Sequence, residues 1–144
     1  MSDYRYISLQ DLDEALFNVK AGRYRSAAFY FQQFAEKSVK ALLEKIDPDH
    51  KQLKSHNVEK ILEAYDTVHA TSELGDKARY LTSFYFNTRY PGDNYTEVSE
   101  DQILKAKACS EALEEYISSE LERMEESKGE IANDVETLPK ITAF

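Results

Sequence analysis

The sequence predicts an all-α chain, an up-and-down helical bundle of four main helices plus a shorter helix. Three observations predict it. Apolar residues recur every three or four positions along most of the chain. Only four Gly and three Pro punctuate 144 residues, so little interrupts long helical runs. Alternating strand patterns are scarce. The length suits one domain with a sizeable core, and 42% hydrophobic residues fit a folded chain rather than a disordered one. The bundle is expected over residues 1–127, followed by a loosely ordered acidic tail over 128–144.

The first helix is expected to start at Ser8, with Asp11 as a weak capping-box partner. Leu9, Leu12, Leu16 and Val19 form its inward stripe, and Gly22 ends it where a left-handed residue is often needed. A long second helix over residues 21–46 follows, making an antiparallel hairpin with the first. Its stripe is Tyr24, Ala28, Phe31, Ala35, Val39, Leu42 and Ile46, widened by Phe29, Phe34 and Leu43. Asp47-Pro48-Asp49 stops it.

Ser55 is read as the cap of a third helix, with Val58, Ile61, Leu62, Tyr65 and Val68 inward. Thr71 or Ser72 starts a fourth, carrying Leu74, Ala78, Leu81 and Tyr85. The turn Pro91-Gly92-Asp93-Asn94 closes it. Ser99 and Gln102 form a capping box for a long fifth helix. Ile103, Ala106, Cys109, Leu113, Ile117, Leu121 and Met124 face inward on it, and the period fades from about Ser127.

The net charge of −9 argues against a general polyanion binder. Charge is nevertheless uneven. Residues 20–45 hold Lys20, Arg23, Arg25, Lys37, Lys40 and Lys45 against Glu36 and Glu44, a local balance of 6 − 2 = +4. A basic helix in an acidic protein suits a small anionic ligand. The single Cys109 excludes an internal disulfide and a multi-thiolate metal site. Its place on an apolar stripe reads as a packed thiol rather than a nucleophile. No apolar run reaches the ~20 residues of a membrane span, and the first residues lack a signal-peptide layout. A cytoplasmic protein is the expectation.

Chemistry-bearing residues are few. His50, His56 and His69 lack metal-ligand spacing. His56 follows a cap at a helix start, where it either binds a ligand or hydrogen-bonds locally. No P-loop, GxGxxG, HExxH or GxSxG is present. The polar strip of the second helix, Arg25, Gln32, Gln33, Glu36, Lys37 and Lys40, borders its apolar stripe. Glu36–Lys40 alone reads as an ordinary helix ion pair of about 0.3–0.5 kcal/mol; the whole strip reads as the edge of a groove or a subunit interface. Arg89 and Tyr90, beside Pro91, either recognise phosphate and stack on a base, or cap a helix end and pack.

Three segments taken together, AGRYRSAAFYFQQFAEKSVKALLEKI, SHNVEKILEAY and YFNTRYPGDNY, resemble the HEPN domain family over roughly residues 8–121. The closest points are the Gly-Arg-Tyr entry to the second helix, the spacing of Gln33, Glu36, Lys37 and Lys40, the Ser55-His56 helix start, and Arg89-Tyr90-Pro91. Such domains are similar to the C-terminal helical domain of kanamycin nucleotidyltransferase. The resemblance implies a helical bundle, commonly dimeric, engaged with nucleotides or RNA. It also implies a place beside a minimal nucleotidyltransferase in a toxin–antitoxin pair. Ribonuclease members carry an Arg, four to six residues, then a His. Arg89 matches that arginine, but Asn94, Tyr95 and Thr96 occupy the histidine positions, which removes the obvious acid–base group.

The functional expectation is a nucleotide-binding or regulatory partner of a minimal nucleotidyltransferase, working as a homodimer away from membranes. Its ligand would be a nucleotide such as ATP, or RNA. Arg89 and Lys40 would contact phosphate and Tyr90 would stack, while Gln33 and His56 orient polar groups beside Glu36 and Lys37. No catalytic residue, metal or cofactor is assigned. The alternatives are a toxin-like metal-independent endoribonuclease using Arg89 with Asn94 or Tyr95, and a purely structural helical dimerisation module.

Overall fold

A computed structural model describes residues 2–85 and 97–137, with side chains through residue 128. Among them there are six α-helices, one short 3₁₀ helix and no strand. The helices are α1 (Asp3–Lys20), α2 (Tyr24–Ile46), α3 (Val58–Tyr65), α4 (Thr67–Ala70), α5 (Glu73–Thr82) and α6 (Glu100–Thr137). The expected all-α bundle is what forms, with the short α4 as an addition.

Capping chemistry sets the ends. Helix α1 starts earlier than expected, because the Ser2 hydroxyl accepts the Arg5 N–H at 3.2 Å. Ser8 is not a cap. It is buried inside α1, and its hydroxyl donates to the Arg5 carbonyl at 2.7 Å. Gly22 does take the left-handed conformation, φ +73°, between α1 and α2. Asn57, rather than Ser55, caps α3 by accepting the Lys60 N–H. Ser72 caps α5. The Ser99–Gln102 box is complete: each side chain accepts the other's backbone N–H, at 3.1 and 2.9 Å.

Helix α2 is the spine. It packs against α1, α3, α5 and α6, so much more than one stripe of it is covered. Ala27, Ala28, Phe31, Phe34, Ala35, Val39, Leu42 and Leu43 are fully buried. Ile46, expected at the end of that stripe, is 55% exposed. Ile103, Ala106, Cys109, Leu113 and Ile117 of α6 close the core from the other side, as their spacing predicts.

Helical phase and helix length also depart from the sequence pattern. Val68 is exposed, not inward, because Asp66 ends α3 and caps a separate α4, which breaks the helical phase. The backbone of α6 stays helical through Thr137, past the fading of its apolar period at Ser127. The inner side of α1 also differs: Arg5, Ser8, Ala15 and Asn18 are buried, while Leu12, Leu16 and Val19 are only partly covered. Arg5 is there for an ion pair. Its guanidinium grips Glu114 of α6 with two hydrogen bonds, at 2.7 and 2.6 Å, and a third reaches Ser118.

A buried charge cluster on helix α2

The polar strip of α2 does not simply border the core; part of it lies inside. Glu36 is 1% exposed and Lys40 5%, and Gln32 is fully buried. Four side chains converge on the Glu36 carboxylate. Lys37 and Lys40 donate to Oε2 at 3.2 and 3.1 Å. Gln32 donates to Oε1 at 3.2 Å, and His56 Nδ1 lies 3.0 Å from the same oxygen. Gln33 extends the chain of bonds, donating to Gln32 at 2.6 Å and lying 3.5 Å from the Lys37 ammonium.

A buried carboxylate survives only when its charge is matched. Burial alone would raise the Glu36 pKa. Lys37, Lys40 and the hydrogen bonds from His56 and Lys40 outweigh it and hold the carboxyl at about 2. The Glu36–Lys40 pair is thus no ordinary surface helix pair, as its i,i+4 spacing suggests; it is a desolvated contact.

Several elements position the cluster. Glu36 and both lysines come from α2, and His56 from the short approach to α3. Tyr85, just beyond α5, stacks on the His56 ring at 4.5 Å between centroids and 15° between planes. The lysines and Glu36 alone leave a balance of 2 − 1 = +1. His56 and Lys37 reach solvent, their side chains 52% and 23% exposed, while Lys40 stands behind. The cluster can therefore offer donors to an anion while Glu36 holds those donors in place.

Of the residues singled out from sequence, Gln33, Glu36, Lys37, Lys40 and His56 are brought together here. Arg25, on the same predicted strip, is exposed. Arg89 and Tyr90, with Asn94 and Tyr95, lie outside the described residues. The places of two further residues were not legible. Tyr85 looked like one more stripe position on its helix. Asp11, read as a partner for a Ser8 cap, lies instead on the side of α1 that packs on α2. The signal for it was a spacing, since Ser8, Asp11, Ala15 and Asn18 follow one helical face.

Other polar features are of a different kind. A groove of about 570 Å³ lies between the end of α2, the α3–α4 junction and α6. Two of its acids already have donors: Tyr65 and Arg123 on Glu120, and Tyr116 and His69 on Asp66. Cys109 is buried, which pushes its thiol up, with Lys77 and Lys105 offsetting only part of the rise. Among the described residues no group of His, Cys, Asp or Glu is arranged to hold a metal ion, and no helix is long and apolar enough to cross a membrane.

No curated protein and no solved structure matches the chain. The HEPN domain family matches it over residues 1–126, which takes in the whole bundle around the Glu36 cluster. With most of its length matched and an all-α bundle as its fold, the chain belongs to the HEPN domain family.

Proposed function

We propose that the Glu36 cluster binds the phosphate of a nucleotide or RNA, and that the chain acts as the binding or regulatory partner of a minimal nucleotidyltransferase. The observation that supports this reading is the convergence of Lys37, Lys40 and His56 on one buried carboxylate with a surplus of positive charge. Lys37 and His56, at the open side, are the donors a phosphate meets first. Lys40 adds charge from behind, and Gln33 orients the rim. Tyr85 backs the His56 ring by stacking on it.

Arg89 follows Tyr85 by four positions in sequence, a reach of at most about 14 Å for an extended chain. In this reading the Arg89 guanidinium fork shares the phosphate and Tyr90 stacks on a base. Binding is favoured over cleavage because no histidine follows Arg89 at the ribonuclease spacing. A homodimer would set two such clusters in one assembly. The nucleotidyltransferase partnership rests on family likeness, and the phosphate site on the cluster.

Fluorescence anisotropy with labelled ATP, GTP and a short RNA tests the site. Arg89→Ala and Lys37→Ala should each weaken binding roughly tenfold, the loss of one charge-assisted contact. Equal binding by both variants, or no binding by the wild type, would remove the assignment. Incubation with total RNA separates the enzymatic alternative, which requires cleavage that disappears in Arg89→Ala.

A further inference from the structure

The His56 ring is fixed from two sides. Its Nδ1 lies 3.0 Å from Glu36 Oε1, and its face stacks on Tyr85. Glu36 is buried and already accepts hydrogen bonds from Gln32, Lys37 and Lys40. A carboxylate held by two ammonium groups is ionised and has no proton to give, so the proton in the His56 contact sits on Nδ1. A neutral imidazole carries only one proton. Its other nitrogen, Nε2, is then a bare lone pair, and among the described residues it makes no hydrogen bond. Half of the side chain, 52%, faces solvent.

Lys37 donates to the second oxygen of the same carboxylate at 3.2 Å. A cation and a hydrogen-bond acceptor therefore stand side by side at the open edge of the cluster. A charged His56 ring adds a second donor there, whereas the neutral ring adds an acceptor. Against the neutral ring, an anion made only of acceptor oxygens gains at Lys37 and meets a lone pair at Nε2. An anion that carries a hydroxyl gains at both. The other histidines do not offer this pairing. His50 Nδ1 accepts the Gln52 N–H at 3.0 Å, so its proton belongs on Nε2. His69 Nδ1 faces Asp66 at 2.6 Å, but among the described residues no lysine donates to that carboxylate.

We infer that His56 makes the cluster selective: with its ring neutral, the site takes a phosphate-type anion that brings its own hydroxyl donor, and discriminates against anions that only accept. The hydroxyl donates to Nε2 while Lys37 holds the anionic oxygens, and Glu36 sets the tautomer that makes this possible. The inference rests on the proposed phosphate-binding reading of the cluster. The hydroxyl can belong to hydrogen phosphate itself or to a ribose beside a nucleotide's phosphate.

Calorimetric titration at about pH 8, above the ordinary imidazole range, tests it. Hydrogen phosphate and sulfate are dianions of similar shape, and only the phosphate carries a proton. Wild type should bind phosphate roughly tenfold more tightly, the worth of one hydrogen bond and one avoided lone-pair contact. His56→Phe, which keeps a ring against Tyr85, should bind the two alike. Adenosine 3′-monophosphate and its 2′-deoxy form put the same question to the ribose. A preference within the nucleotide pair places the donor on the sugar, and one confined to the inorganic pair places it on the phosphate. Long-range proton–nitrogen NMR reads the tautomers directly: His56 should carry its proton on Nδ1 and His50 on Nε2, with His56→Phe identifying the signal. Equal binding within both pairs, or a His56 proton found on Nε2, would overturn the selectivity alone. Absence of binding by any of these ligands would overturn the anion-site reading and the selectivity together.

Discussion

Replacing Glu36 by Gln keeps the shape of the side chain and removes the charge that Lys37 and Lys40 share. The magnitude follows from two routes. A carboxyl held at about 2 in the folded chain, against 4.5 when solvated, contributes about 3 kcal/mol at neutral pH. Breaking a buried ion pair from one side costs about 3–5 kcal/mol, because the partner, here Lys40, stays buried without its counter-charge. The two agree, so Glu36→Gln should lower unfolding free energy at pH 7 by about 3 kcal/mol. Because the folded pKa is depressed, this stability is complete above the solvated value and is lost as pH falls towards about 2. Urea denaturation followed by circular dichroism at several pH values checks both parts. A difference below about 1 kcal/mol at pH 7, or one that does not shrink under acid, would refute the reasoning.

Three further substitutions probe how the bundle is fastened. Arg5→Ala should cost about 2 kcal/mol by chemical denaturation, since it leaves the Glu114 carboxylate without its two-pronged donor, and Arg5→Lys should recover less than half of that. Gly75→Ala should cost about 3 kcal/mol, because the new Cβ would lie 1.8 Å from the Ala70 carbonyl oxygen and must push α4 and α5 apart. Gly22→Ala meets no neighbour and should cost only about 1 kcal/mol, from its left-handed backbone alone, so equal losses at the two glycines would be the wrong result. Ser99→Ala should lower the thermal midpoint by removing about 1 kcal/mol of cap, with faster amide exchange confined to the first turn of α6.

How much of this could be read without coordinates depends on the kind of residue. Ile103, Ala106, Leu113 and Ile117 announce their burial by spacing, and Ser99 with Gln102 announces a helix start by local hydrogen bonding. Both are properties of a few neighbouring residues. Val68 misled because its period was carried across Asp66, where a local cap resets the helical phase. Glu36, Lys37 and Lys40 were legible as a strip and as a mark of the family, but their burial was not. Asp11 was visible only as a possible cap partner.

The sequence by itself determined the all-α class, most helix positions, the membership in the HEPN domain family and the residue set from which the cluster is drawn. These follow from periodicity, capping and motif spacing, which are written along one strand of chain. Tertiary structure alone decided that α2 is surrounded by α1, α3, α5 and α6, so that a strip expected at the margin of the core lies within it. Helical spacing says which residues share a face, but the number of neighbours covering that face depends on contacts between distant segments. Those contacts place His56 on Glu36, turning an amphipathic helix into a charged cluster.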